Sequence, residues 1–342
     1  MVKIRDYIIK VLNGMAWGLF ASLLIGLIIR QIGVFSNVQS MITFGTFAQR
    51  LMGPAIAVGV GYALGATPLV LVSLVSVGAI GAGTFQIDGS NITAITGEPV
   101  GALIAAWVAA EFGNYISGKT KVDIVLVPFV TILTGGLISL FIGPYIVAFM
   151  TALGAFINTA TQLHPFTMGI VIAVVMGMVL TLPISSAALS ISLNLSGLAA
   201  GAATVGCCAN MIGFAFASFR DNGWGGLIAQ GLGTSMLQVP NIIKKPIIWL
   251  PAIITSAILG PISTVVFKMT SNAIGAGMGT SGLVGQVAML DVMGATPSVF
   301  LQIGIMHFVL PAILATSIAG MMRKLGWIHV GDMKLADPSK KR

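Results

Sequence analysis

Charge is what this sequence has least of. Only 8% of its 342 residues are charged, against roughly a quarter in an ordinary soluble domain. From Ile124 to Phe219 there are 96 consecutive residues without a formal charge, and only His164 among them titrates near neutrality. With 56% hydrophobic residues, the chain belongs in a bilayer. Alternating segments of about 10 residues, the mark of a membrane barrel, are missing. The apolar runs are continuous and rich in Ala, Gly, Leu and Ile, and they read as helices. Cysteine is scarce as well. Cys207 and Cys208 lie side by side in an apolar run, poorly placed for a structural disulfide, and with three scattered histidines they make no metal-ligand spacing. They read as packing residues, and neither a metal nor a cofactor is expected. No His-Glu-x-x-His helix and no Gly-x-Ser-x-Gly elbow occurs, which argues against an intramembrane enzyme. The glycine-rich run Gly78 to Gly83 lacks a following Lys-Ser/Thr, so it reads as helix packing and not as a phosphate loop.

The few charges present gather at the ends. Residues 1–10 and 323–342 together supply +6 of the net +8. By the positive-inside rule both ends face the cytoplasm, so the number of crossings is even. At about 20 residues per crossing, spans fit near 11–29, 45–64, 66–84, 99–117, 124–142, 144–162, 166–182, 199–218, 247–267 and 298–322. The first run ends at Arg30 without a small-residue cleavage pattern, so it reads as a retained helix and not a signal peptide. Arg30, Arg50 and Lys268 fit this topology least well. Residues 31–49 read as an amphipathic helix along the interface, with the two arginines at headgroups. The expected fold is an all-α polytopic plasma-membrane protein of about ten helices. It forms one membrane-embedded domain with a basic cytoplasmic tail at 323–342. Its basic surface points to lipid and not to nucleic acid.

Four segments are too polar or too broken to span: 85–98, 183–198, 222–245 and 270–297. They are rich in Gly, Ser, Thr, Asn and Gln. Irregular backbone at membrane depth survives where protein buries it or water reaches it, so these read as re-entrant hairpins lining a cavity. The other reading is loops just outside the bilayer. GPAIAVGVGYALGATPL (53–69) and GTSGLVGQVAMLDVMGATPS (279–298) both run to GATP, which allows an internal repeat.

The candidate chemistry lies in the polar segments. Glu98 precedes Pro99, which suits a first helical turn; a carboxylate there is stabilised by the helix's positive end and can accept hydrogen bonds from a polyol. Gln86, Asp88 and Asn91 would complete a hydrogen-bonding lining, as would Asn194 in the second segment. Asn91 and Asn194 also head weak glycosylation patterns. Arg220, Asp221 and Asn222 form a structural or gating cluster, with Asp221 able to neutralise Arg220. Asn272, Thr280, Ser281, Gln286 and Asp291 supply polar contacts in the last segment. His307, inside the final apolar run, is either a ligand donor or proton carrier, or a packed histidine bonded to a neighbour.

The stretches RDNGWGGLIAQGLGTSMLQVPNIIKKPIIWLP (220–251), GAGMGTSGLVGQ (275–286) and ITGEP (95–99) resemble the enzyme IIC membrane proteins of the phosphotransferase system, in a branch similar to the perfringolysin regulator. The resemblance covers nearly the whole chain. It implies a ten-helix, often dimeric permease with re-entrant hairpins. Sugar permeases of that system carry a substrate-binding glutamate in a GITEP motif and a histidine elsewhere in the site, which makes Glu98 the counterpart. Here the motif reads TGEP, with Gly97 between Thr96 and Glu98, and it falls in the first third of the chain. Phosphoryl transfer would require separate phosphocarrier partners. The expected function is a permease for a small polar solute, a sugar or sugar-like anion, moved by alternating access and acting as a homodimer. The alternative is a membrane-embedded sensor of gene expression, with tail residues 326–342 docking a cytoplasmic partner.

Overall fold

A computed structural model describes residues 2–88 and 91–336, most of them helical. The described residues form two units, one up to Phe149 and one covering residues 150–336. Among the described residues, five helical stretches are long and apolar enough to cross a membrane: Asp6–Ser36, Asp123–Thr161, Gly197–Ala217, Pro246–Val266 and Pro297–Lys324. Met52–Leu64, Pro68–Ala82 and Pro165–Thr181 are apolar but shorter.

In the first unit, α1 (Val2–Gly18) runs through a π-turn into α2 (Ile25–Ser36). Asn37 takes a left-handed conformation (φ 55°) and α3 (Gln39–Arg50) returns along α2. Residues 31–49 are therefore not one interfacial helix but the turn of a helical hairpin. Gly26, Gly33 and Gly45 are the cause, since a side chain at any of them would strike the facing helix. α4 (Met52–Leu64) packs on α1 in the same way, with Gly14 against Gly59. This small-residue contact is how helices associate where lipid gives no hydrophobic drive. α5 (Pro68–Ala82), strands β1 (Phe85–Asp88) and β2 (Asn91–Ala94), and α6 (Pro99–Ile116) follow. The strands pair antiparallel, Phe85 with Ala94 and Asp88 with Asn91. They are the exception to an all-helical reading.

α7 (Asp123–Thr161) is one helix of 39 residues where two crossings were expected. Pro128 and Pro144 lie inside it. A proline removes one hydrogen bond and bends a helix; it does not reverse the chain.

The second unit is built on α10 (Gly197–Ala217), which is buried on nearly every face. Its Gly- and Ala-rich sequence has no polar face to show, as a fully enclosed helix requires. Around it lie α8 (Pro165–Thr181), α13 (Leu250–Pro261) and α17 (Leu310–Lys324). A methyl group at Gly206 would fall on the Ala173 backbone of α8. Cys207 and Cys208 beside it are free thiols, both fully buried. Shorter pieces fill the polar segments: α9 (Ser186–Ser192), α11 (Phe219–Ile228), α12 (Val239–Lys244), α14 (Ala273–Ala276), α15 (Val284–Met293) and α16 (Pro297–Ile303). α16 continues through a π-turn at Gly304–Val309 into α17.

The two GATP motifs share a local grammar. Gly65 and Gly294 both have positive φ and end a helix; Thr67 and Thr296 both precede a proline that starts the next. Turn chemistry accounts for those four residues in each case.

Candidate functional site

The turn between α14 and α15 sets the geometry. Gly279, Gly282 and Leu283 all take positive φ, folding the backbone so that Gly285 N donates to Gly279 O at 3.0 Å. Thr280 and Ser281 are buried, and their hydroxyls donate to the carbonyls of Gly231 and Gly233 in the π-turn Ala229–Gly233. Gly279 packs directly on Cys207 of α10. The turn is thus fixed on two sides, and α15 starts with Gln286 in its first turn.

His307 reaches the same place from the π-turn between α16 and α17, the kind of irregularity that recurs at functional sites. Gln286 Nε2 lies 2.9 Å from His307 Nδ1 and 3.5 Å from Cys208 Sγ. Gln286 is 6% exposed and His307 is fully buried. Gln286 Oε1 and His307 Nε2 have no hydrogen-bond partner. An orphaned buried polar atom costs about 1–3 kcal/mol, so two in one pair are a costly arrangement. With Gln286 donating to Nδ1, the pair presents an unmet acceptor at Oε1 and an unmet N–H at Nε2. With the amide reversed it presents a donor and an imidazole acceptor instead. Either way one donor and one acceptor are left, which is the complement of a hydroxyl group.

Charge is absent around it. Among the described residues of this unit, the buried polar side chains are hydroxyls, amides and His307, with no buried Asp, Glu, Lys or Arg.

The other expected residues are placed as follows. Asn272 caps α14, its Oδ1 accepting from Ile274 N and Gly275 N at 3.1 Å each. Asp291 is exposed on α15. Asn194 is exposed with φ 49° on the rim of an open depression of about 430 Å³, lined also by Asn158, Thr161 and Ser196. In the first unit, Gln86 and Asn91 are exposed on the strand pair; Asp88 pairs with Asn91 through the backbone, and its side chain lies outside the described residues. Glu98 is half-buried at the start of α6, with Pro99 in the first turn, and its N–H donates to Ala82 O at 2.9 Å. Gly97 explains why the motif reads TGEP: its φ is +73°, and a side chain there would strike the Ala82 carbonyl.

Arg220 is exposed, and Asp221 accepts from Gly331 N at 2.8 Å where an Arg220 pair was expected. Asn222 donates to Met333 O at 2.9 Å and accepts from Leu335 N at 2.8 Å. The 219–245 segment therefore holds the chain's own C-terminal stretch. Lys245 Nζ meets Asp332 Oδ2 at 2.7 Å, and Arg323 Nη2 donates to Ala217 O at the end of α10, where a cation is favoured. Burial acts to raise the Asp332 pKa, but the Lys245 ammonium and the His329 N–H outweigh it and hold the carboxyl below its ordinary 3.8. Residues 328–335, part of the tail that a sensor would use for docking, are engaged here within the chain.

Two buried networks carried no separate signal in the sequence. Asn210 on α10 donates to Ser256 Oγ at 3.1 Å and accepts from Trp249 Nε1 at 3.0 Å and Thr181 Oγ1 at 3.2 Å. Gln230, Gln238 and Asn241 form an amide ladder: Asn241 Nδ2 to Gln238 Oε1 at 2.9 Å, then Gln238 Nε2 to Gln230 Oε1 at 2.8 Å. Their spacing fits no familiar motif, though all three lie in the 220–251 stretch.

A family model described as phosphotransferase system, EIIC, matches residues 9–335. No curated protein and no solved structure matches the chain.

Proposed function

The chain belongs to the phosphotransferase-system EIIC family, membrane sugar permeases that work with separate components of that system, and we propose that the sugar is bound at Gln286 and His307. One observation carries this reading: two orphaned polar atoms on a hydrogen-bonded, buried pair in a unit without buried charge. A sugar hydroxyl donates and accepts at once and would satisfy both. The chemistry of the surroundings favours a neutral sugar over an anionic one. Thr280, Ser281 and Asn272 serve the site by holding the turn that aims α15.

Glu98 is the proposed sugar-binding carboxylate of the first unit, supported by its place at the positive end of α6. A two-stranded pair with open edges cannot face lipid, so the 85–94 strands belong in water or against protein and not in the hydrocarbon. Both chain ends are proposed to face the cytoplasm, as their basic residues favour. Transport by alternating access, and assembly as a homodimer in which the exposed Phe129, Leu133, Leu137 and Phe141 of α7 meet lipid or a second copy, complete the proposal.

The test is uptake of a panel of labelled hexoses and hexitols by cells supplying the phosphocarrier proteins. Gln286→Ala and His307→Ala should each lower kcat/KM for the accepted sugar at least tenfold, about 1.4 kcal/mol. Wild-type uptake by both variants at wild-type expression would overturn the assignment.

A further inference from the structure

The C-terminal stretch is tied to the Gln286–His307 site through a continuous set of contacts. Ile328 and Met333 are almost fully buried in an apolar cluster with Phe214, Ile242, Ile248 and Trp249. The stretch's backbone is gripped at the same time. Gln238 Nε2 donates to Met333 O, and Asn241 Nδ2 to Lys334 O, each at 2.9 Å. The same Gln238 amide donates to Gln230 Oε1, and Gln230 Nε2 ends on Ser218 Oγ and Gly226 O at 2.9 Å each. Gln230 lies within the π-turn Ala229–Gly233, and the carbonyls of Gly231 and Gly233 in that turn receive Thr280 and Ser281. The hydrogen bonds in this set are buried except that of Asn241 to Lys334 O, which is partly buried, and the backbone of the Ala229–Gly233 turn joins Gln230 to the Gly231 and Gly233 carbonyls. If residues 328–335 leave, Gln238 and Asn241 lose acceptors inside a closed core, and the turn that positions α15 loses part of its support.

We propose that residues 328–335 are a strap that regulates the Gln286–His307 site. Seated, the strap fixes the Ala229–Gly233 turn and the Thr280–Ser281 contacts; released, it frees the start of α15 and opens the site to water. This rests on the reading of that pair as the sugar site. The ion pair of Lys245 with Asp332, joined by His329, sits at the strap's partly exposed edge, where a change in charge or a competing partner can reach it.

The two cysteines report on this motion. They are the only ones in the chain, both are buried, and Cys208 Sγ touches the Gln286 amide. Purified full-length protein in nanodiscs is treated with N-ethylmaleimide, and the modification rate is followed by intact mass. Asp332→Asn and Lys245→Gln, which loosen the edge without entering the core, should each speed labelling at least fivefold while the thermal midpoint stays within a few degrees of wild type. Gln238→Leu, which cuts the ladder, should speed it further. Labelling at the wild-type rate in all three variants overturns the strap. Faster labelling together with loss of uptake in Gln286→Ala supports the whole proposal. Faster labelling with normal uptake in Gln286→Ala leaves a mobile segment but overturns its control of a sugar site.

Discussion

Trp249 and Asn210 meet through an indole N–H that donates to the side-chain amide oxygen at 3.0 Å, and Asn210 spends its own N–H groups on Ser256 Oγ and Gly206 O. One asparagine thus joins α10 to α13, and through Thr181 to α8. Asn210→Leu should leave the indole N–H buried without a partner, at a cost of about 1–3 kcal/mol. Trp249→Phe removes that donor and should cost less through lost hydrogen bonding. Thermal unfolding in one detergent checks the order; equal midpoints for Asn210→Leu and wild type would remove the network from the list of stabilising features.

Gly97 sets the approach to α6. Gly97→Ala should cost about 1–2 kcal/mol from the left-handed backbone alone, and more from the contact with the Ala82 carbonyl. Because Glu98 N–H donates to the same carbonyl, the substitution should also displace Glu98. A fall in the thermal midpoint accompanied by weaker sugar uptake is the expected pair of results. A stable variant with wild-type uptake would show that neither the turn nor Glu98 matters to transport.

The Lys245–Asp332 pair makes the strap sensitive to acid. Asp332 has a lowered pKa when folded, so its contribution is complete above the ordinary carboxylate value and is lost as pH falls through the folded value. Lys245 and His329 face it, and Asp221 holds the neighbouring Gly331 N–H. Wild type should therefore exceed Asp332→Asn in thermal midpoint by a constant margin at neutral pH, and the margin should close below pH 4. A margin that persists into acid would assign the stabilisation to something other than the charged carboxylate.

Composition made the membrane legible, and the glycine-rich runs announced close helix crossings such as Gly206 on Ala173. Gln286 and His307 were legible as polar residues in apolar surroundings. Their pairing was not, because it depends on the left-handed backbone at Gly279, Gly282 and Leu283 and on a π-turn, none of which a hydrophobic pattern records. α7 was misread as two crossings because Gly143-Pro144 carries the same letters as a loop, while the flanking apolar residues sustain a helix through it. Asn210 was hidden for the opposite reason: a lone amide among alanines looks like background until Trp249, 39 positions away, is seen to need it. The strap was concealed by charge. Its basic residues read as a solvated tail, whereas Ile328 and Met333 bury it.

Ligand-induced stabilisation tests the sugar site most directly. For the sugar that uptake identifies, a concentration of one hundred times Kd should stabilise the purified wild-type protein by about 2.7 kcal/mol. The double variant Gln286→Ala/His307→Ala, folded and at the same sugar concentration, should show no stabilisation. Equal stabilisation of both proteins would place the sugar elsewhere and contradict the assignment.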